Sequence, residues 1–227
     1  MSKTANKKIV CQKLIEFAEK DNDIVALTSD SRGSASMTDF GNQLPEQLVE
    51  VGIAEQNIVG MAAGLANGGK KPFITSYAAF VTMRAIEQVK VDVAYSNVNV
   101  KIIGISGGVS YGPLGMSHHT LHDIAVMRAI PNIKIVMPAD RYDTEKLMKE
   151  LVDYKGPVYV RVGRNPVEEV HESADYDFKI GKADQLRDGS DLTIIATGEL
   201  VSTALKAADL LKEDNLSCRV INMHTLK

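Results

Sequence analysis

The feature of this sequence that most constrains its fold is the alternation of short apolar runs with segments of helical periodicity. The apolar runs predict buried strands at residues 24–27, 48–51, 71–76, 100–106, 133–137 and 158–162. Segments spaced as helices occupy residues 9–17, 55–66, 80–95, 121–129 and 142–152. Strands separated by helices of this length predict an α/β fold with a parallel sheet and right-handed crossovers.

The pattern weakens after residue 166 and then resumes. Residues 1–166 form the predicted first domain, and residues 167–182, which have mixed charge and few apolar side chains, form a predicted linker. A further strand, helix and strand follow within residues 183–227. A piece of this size is too small to bury a core alone, so we expect it to be the truncated start of a second domain.

Composition excludes several classes of protein. The net charge is −3 and the chain has no basic patch of the kind that binds nucleic acid. No apolar run approaches the roughly 20 residues of a membrane span, and the polar N-terminus lacks the apolar core of a signal peptide. Cys11 and Cys218 are far apart and form no metal or disulfide motif. We therefore expect a cytoplasmic protein without membrane or nucleic-acid partners.

Unusual residues follow the predicted strands. Asp30, residues 52–55, residues 76–77, residues 106–119 and residues 163–164 each come at or after the carboxyl end of a strand. Ligands of open parallel sheets bind beyond these strand ends, so the sequence predicts one site along this edge.

Glu55 is the most distinctive of these residues. It lies in the segment VGIAEQN, after a strand and at the start of a helix rich in small residues. An acid at this position could simply complement the positive end of the helix, a contribution of about 1 kcal/mol or less. The small residues that follow, GMAAGLANGG, would also let another protein surface pack closely.

Four segments together resemble a family of thiamine-diphosphate enzymes. They are VGIAEQN (51–57), SYAAFVTMRAIEQV (76–89), GMSHH (115–119) and MRAIPNIKIVMPAD (127–140). Their order and spacing are similar to those of transketolases, 1-deoxyxylulose-5-phosphate synthases and pyruvate dehydrogenase β subunits. Split transketolases, whose second chain starts near this point, are most similar. The resemblance implies a pyrimidine-binding domain followed by the start of a transketolase C-terminal domain.

The resemblance implies that Glu55 activates thiamine diphosphate. In the family this carboxyl group donates a hydrogen bond to the aminopyrimidine, which helps the cofactor to become a nucleophile. The resemblance also implies that Tyr77, Phe80 and Met83 line a pocket around the pyrimidine ring, where aromatic faces favour stacking. The same spacing is typical of an apolar stripe on a helix that packs in the core. Met83 stands where many transketolases have an aromatic residue.

Further positions match family residues near the cofactor or substrate. The resemblance implies that Asp30 lies near the cofactor and that Ser34, His118 and Arg164 contact the sugar phosphate, with His118 also catalytic. The simpler alternatives are a turn or helix cap at Asp30, no functional role at Ser34, a surface or core histidine without function at His118, and a surface ion pair at Arg164. Arg161 is close to Arg164, and the sequence does not decide between them.

Other residues depart from the family pattern. Ser106 stands where transketolases usually have a histidine, and Leu114 is at or near the place of an aspartate; both family residues bind sugar hydroxyls. The substrate is therefore expected to be an unusual sugar phosphate or ketose. His118, His119 and His122 lack the further ligands of a metal site, so none is predicted there.

The chain also lacks the GDG…N motif that holds Mg²⁺ and the diphosphate in this family; Asp188–Gly189 has no leading glycine. We expect that half of the site to come from an N-terminal transketolase subunit. The predicted assembly is a heterotetramer of two large and two small subunits, and this chain alone would be inactive. The predicted activity is transfer of a two-carbon ketol unit between sugar phosphates.

Two alternatives to a split transketolase stay open. One is another enzyme of the family, similar to 1-deoxyxylulose-5-phosphate synthase or to a 2-oxoacid dehydrogenase β subunit. The other is a non-catalytic, flavodoxin-like domain.

Overall fold

A six-stranded parallel sheet forms the centre of the computed structural model, which describes residues 3–227. Its strands are β1 (Ile24–Thr28), β2 (Leu48–Glu50), β3 (Lys71–Tyr77), β4 (Lys101–Ile105), β5 (Lys134–Val136) and β6 (Val158–Arg161). They lie in the order β2-β1-β3-β4-β6-β5, and every neighbouring pair is parallel. The predicted α/β class is confirmed. The first two residues of the predicted first domain lie outside the described part.

Helices cover both faces of this sheet. They are α1 (Asn6–Ala18), α2 (Thr38–Gln43), α3 (Glu55–Asn67), α4 (Ala78–Met83), α5 (Ile86–Gln88), α6 (Asp123–Ala129) and α7 (Arg141–Asp153). One apolar core lies under α1, α2 and α7, and the other lies under α3, α4 and α6. Strands β1 and β4 are buried along their whole length, because both of their faces are covered.

The predicted single helix over residues 80–95 is wrong. Helix α4 begins at Ala78, directly after β3, and ends at Met83. The backbone then leaves the helical conformation at Ala85 (φ −106°, ψ 21°), and α5 and a π-helix, Val89–Tyr95, follow. Ala85 and Val89 are both fully buried. The apolar spacing therefore continues across the break, which is why periodicity did not reveal it.

A smaller sheet follows within the second part of the chain. It contains β7 (Asp184–Arg187), β8 (Leu192–Ala196) and β9 (Cys218–Asn222), with α8 (Val201–Glu213) between β8 and β9. Strands β8 and β9 are parallel, whereas β7 pairs with β9 in the antiparallel direction. The sequence DQLR of β7 has one apolar residue, so no apolar run predicted this strand.

The two sheets are joined by backbone hydrogen bonds. The amide of Met137 donates to the carbonyl oxygen of His224 over 2.8 Å, and that of Leu226 donates to the carbonyl oxygen of Ile135 over 2.9 Å. Residues after β9 thereby extend the edge at β5. None of the helices between residues 3 and 227 has the length and apolar character needed to span a bilayer.

Candidate active site

Glu55 lies at the first position of α3 and is almost completely buried, with 2% of its surface exposed. The chain turns sharply before it at Gly52, whose φ of +71° favours glycine. The helix N-terminus adds a positive potential at the carboxylate. Oε2 of Glu55 accepts a hydrogen bond from Nη1 of Arg84 over 2.7 Å. No other side chain between residues 3 and 227 donates a hydrogen bond to this carboxylate.

Arg84 connects Glu55 to an aromatic ring. Its guanidinium carbon lies 4.3 Å from the centroid of the Phe80 ring, a distance at which a cation is attracted to the ring face. About half of the Arg84 side chain is exposed. No role for Arg84 was predicted from the sequence, although its position four residues after Phe80 places both side chains on one side of a helix.

Four rings form the centre of the site. Tyr77, Phe80, Tyr111 and His118, here called the aromatic cluster, have six possible pairings, of which five lie within contact range. Tyr77 is 5.4 Å from Phe80 and 5.1 Å from His118 between ring centroids, and Phe80 is 4.9 Å from His118. Tyr111 lies 5.7 Å from Tyr77 and 5.4 Å from His118. The three contacts among Tyr77, Phe80 and His118 are edge-to-face and the two of Tyr111 are tilted, geometries that aromatic pairs prefer to a face-to-face sandwich.

Tyr111 is a member of this cluster that sequence reasoning missed. It lies in the glycine-rich loop after β4, where no periodicity indicates which side chains turn inward. The guanidinium carbon of Arg164 stacks 4.1 Å from the centroid of its ring. The sequence feature that could have indicated Tyr111 is a lone tyrosine among glycines, in a chain poor in aromatic residues.

A polar and cationic end adjoins the aromatic cluster. The hydroxyl of Tyr77 donates to Oγ of Ser34 over 2.6 Å, and Nζ of Lys7 donates to the Ser34 carbonyl over 2.6 Å. Burial, followed by the nearby charge of Arg164, lowers the pKa of Lys7. Ser34, Lys7 and Arg164 thus bring a hydroxyl and two cations together, an arrangement that suits an anion such as phosphate.

Among the described residues, Asp30 and Met83 have neither a hydrogen bond nor a ring contact with the aromatic cluster. Asp30 is exposed and has a φ of +50°, and its amide donates to Oε1 of Glu50 over 2.7 Å. Glu50 also accepts a hydrogen bond from the hydroxyl of Thr28, so this group of bonds joins the ends of β1 and β2. Met83 ends α4 and is 40% exposed.

Arg161 and Arg164 have different surroundings. Nε of Arg161 lies 2.9 Å from Oδ2 of the buried Asp123, and its Nη2 donates to the carbonyl of Thr120 over 2.9 Å. Through these contacts Arg161 holds the glycine-rich loop in place. Arg164 has no ion-pair partner among the described residues and faces the ring of Tyr111. The geometry therefore favours Arg164 over Arg161 for binding an anion.

The carboxylates and histidines that cluster most tightly lie away from the aromatic cluster. Asp140, Asp143, His171 and Asp184, here called the acid–histidine cluster, join the first part of the chain to β7. Ring nitrogens of His171 contact Asp140 at 3.2 Å and Asp184 at 3.0 Å. Burial alone would lower the pKa of His171, but these carboxylates raise it to about 9. With its imidazole protonated, this cluster forms an ion-pair network.

Comparison with known proteins identifies the family of the chain. The model of the transketolase pyrimidine binding domain matches residues 2–169, and that of the transketolase C-terminal domain matches residues 181–227. The chain belongs to the transketolase family.

Several relatives within this family are named as subunits of transketolases. An apulose-4-phosphate transketolase subunit from Phocaeicola vulgatus is 54% identical over 98% of this chain and 73% of that protein. The 6-deoxy-6-sulfo-D-fructose transketolase subunit SqwH of Clostridium sp. (strain MSTE9) is 39% identical over 94% of this chain and 66% of that protein. Both names agree with a transketolase divided between polypeptides.

A solved structure supports the same assignment. A split-gene transketolase, an inactive beta4 tetramer, superposes with a TM-score of 0.90 at 36% identity, and the match covers 99% of this chain and 73% of that one. The predicted resemblance to the split transketolases is confirmed at the level of family and fold.

Proposed function

We propose that this chain is the pyrimidine-binding subunit of a split, thiamine-diphosphate-dependent transketolase. The reaction would break the bond between C2 and C3 of a ketose phosphate, leave an aldose two carbons shorter, and join the two-carbon ketol unit to an acceptor aldehyde. The observation that carries the proposal is the burial of Glu55 at the start of α3, linked through Arg84 to Phe80.

The residues around Glu55 fit an aminopyrimidine. Oε1 of Glu55 has no hydrogen-bond partner among residues 3–227, so one oxygen of a buried carboxyl group is left to share a proton with a ring nitrogen. The rings of Phe80 and Tyr77 supply flat apolar surfaces, and Arg84 connects Phe80 to Glu55. When bound, thiamine diphosphate would supply the nucleophile for ketol transfer. The proposed role of Glu55 is to hold or transfer a proton at Oε1, and Met83 would border the same space.

The cationic end of the site fits the phosphate of a sugar. Arg164 offers a planar guanidinium, Lys7 a second positive charge and Ser34 a hydroxyl, all beside Tyr77. His118 packs against Tyr77 and Phe80 and would contact substrate hydroxyls. Asp30 would approach the cofactor only from the exposed edge near Glu50.

The residues of this chain do not fit Mg²⁺ or the diphosphate. The sequence has no GDG…N motif, and the acid–histidine cluster already uses its carboxylates in internal hydrogen bonds. We therefore assign that half of the site to a partner subunit, with the cofactor between the two. A heterotetramer of two large and two small subunits is the proposed assembly, and its site would lie in the cytoplasm.

The substrate is expected to differ from those of ordinary transketolases. Ser106 is buried, and Leu114 is exposed in the glycine-rich loop, so neither provides the charged or imidazole contact expected for sugar hydroxyls. The relatives named for apulose 4-phosphate and 6-deoxy-6-sulfo-D-fructose indicate that similar subunits serve unusual ketoses. We propose an unusual ketose that carries a phosphate or sulfonate group as the donor.

The test is a reconstituted pair. The chain is co-expressed with a candidate large subunit that carries GDG…N, and ketol transfer is measured with Mg²⁺, thiamine diphosphate and a panel of ketose donors. Glu55→Gln should lower turnover at least about 100-fold without a change in thermal midpoint. Glu46→Gln, a change at an exposed glutamate, is the matched control and should leave turnover unchanged.

The outcomes distinguish the candidate functions. Full activity of the Glu55→Gln pair would favour a non-catalytic domain. Carbon dioxide release from a 2-oxoacid, without ketol transfer, would favour the dehydrogenase or deoxyxylulose-phosphate-synthase alternative.

A further inference from the structure

We infer that Arg84 is a positioning residue that orients the carboxyl group of Glu55, so that Oε2 is held by the protein and Oε1 faces the cofactor ring. This inference rests on the proposed function of Glu55 and adds a residue that acts through it.

The contacts of Arg84 fix the carboxylate in one orientation. Its Nη1 reaches Oε2 over 2.7 Å, and this is the one side-chain hydrogen bond that any residue between 3 and 227 gives to Glu55. A carboxyl group held at one oxygen still turns about its own bond unless the donor is itself fixed. Here the guanidinium carbon lies 4.3 Å from the centroid of Phe80, and Phe80 is in turn held by Tyr77 and His118.

The chemistry of arginine suits this task. The guanidinium is planar, is charged at every physiological pH and stacks on aromatic faces, whereas a lysine ammonium is a flexible point charge. Arg84 would thus set the direction of the carboxyl group.

The position of Arg84 follows from the way in which α4 ends. The helix ends at Met83, and Arg84 follows before the backbone departs from the helical conformation at Ala85. Arg84 therefore stays one helical turn after Phe80, where its guanidinium reaches the ring. Because half of its side chain is exposed, replacement of Arg84 leaves no large cavity.

The experiment measures the dissociation constant of thiamine diphosphate, in the presence of Mg²⁺, for the co-purified two-subunit enzyme by isothermal titration calorimetry. The variants are Arg84→Met, Arg84→Lys, Glu55→Ala and the double variant Arg84→Met/Glu55→Ala. Arg128→Met, at an exposed arginine of α6, is the matched control. Thermal midpoints of all variants are recorded to show that they are folded.

Arg84→Met should weaken cofactor binding about 10-fold or more, because a charged hydrogen bond to a buried group is lost. Arg84→Lys should recover part of that loss. In the Glu55→Ala background, Arg84→Met should change the dissociation constant less than about threefold, since a residue that acts through Glu55 has nothing left to act on. Arg128→Met should bind thiamine diphosphate with the same dissociation constant as the unaltered enzyme.

The outcomes separate this inference from the proposed function. If Arg84→Met weakens binding equally in both backgrounds, or not at all while Glu55→Ala abolishes binding, the positioning role is overturned and the role of Glu55 stands. If Glu55→Ala alone changes neither binding nor turnover, the proposed function itself fails.

Discussion

Protonation of His171 should stabilise the junction between the two sheets, and raising the pH should remove that stabilisation. The ring of His171 is nearly buried and contacts Asp140 at 3.2 Å and Asp184 at 3.0 Å, while Asp143 lies 3.9 Å away. Tyr176 stacks on the same ring, 4.1 Å between centroids. A charged imidazole thus neutralises carboxylates from the start of α7 and from β7.

The magnitude follows from the raised pKa. Hydrogen bonds and charges of the carboxylates overcome the effect of burial and raise the pKa of His171 from 6.5 to about 9. A difference of one pH unit between the folded and unfolded pKa values corresponds to about 1.4 kcal/mol, so the raised pKa of His171 contributes about 3 kcal/mol to the folding free energy. Because the folded pKa is the higher one, the contribution is fully present below about pH 6.5 and is lost as pH rises through about 9.

The assay compares thermal midpoints of the unaltered chain and of His171→Gln between pH 6 and pH 9.5 by far-ultraviolet circular dichroism. For a chain of this size, about 3 kcal/mol corresponds to a difference of roughly 6–12 °C at pH 6, and the difference should shrink toward zero above pH 9. His122→Gln, at an exposed histidine, is the control and should show no such trend. A difference that stays constant with pH would refute the charged state of His171.

Three further substitutions test the packing around the site. Gly107→Ala should destabilise the chain and disorder the glycine-rich loop, because the added Cβ would collide with Arg161; loss of protection of the loop amides in hydrogen exchange would show it. Tyr159→Phe should cost about 1–3 kcal/mol in urea unfolding, since the buried hydroxyl donates to Asp123 over 2.8 Å. Burial lowers the pKa of Lys101 to about 7, so the contribution of Lys101 to stability should rise as pH increases from about 7 toward 10.5; the difference in unfolding free energy between the unaltered chain and Lys101→Met should follow this rise.

The parallel α/β class of the main sheet could be predicted because its strands contain short apolar runs. In β1 and β4 every residue is buried, and the intervening helices are long enough to require crossovers. β7 could not be predicted, since its polar sequence pairs with β9 through backbone hydrogen bonds that leave no apolar pattern. The break at Ala85 was equally hidden, because its side chain is as buried as those of a continuous helix.

The candidate site was predictable to the extent that its residues follow strand ends. Glu55, Tyr77 and Phe80 were assigned from segments whose spacing resembles a known family. Arg84 and Tyr111 were missed because their positions depend on how a helix ends and on how a glycine-rich loop folds back. Such long-range contacts have no periodic signature in a single sequence.

The most direct test of the role of Glu55 is the rate at which the C2 proton of thiamine diphosphate exchanges with deuterium on the two-subunit enzyme, followed by quenched-flow and proton nuclear magnetic resonance. Exchange with Glu55 present should be at least about 100-fold faster than in the Glu55→Gln enzyme at saturating cofactor. Equal exchange rates in the two enzymes would contradict the assignment of cofactor activation to this carboxyl group.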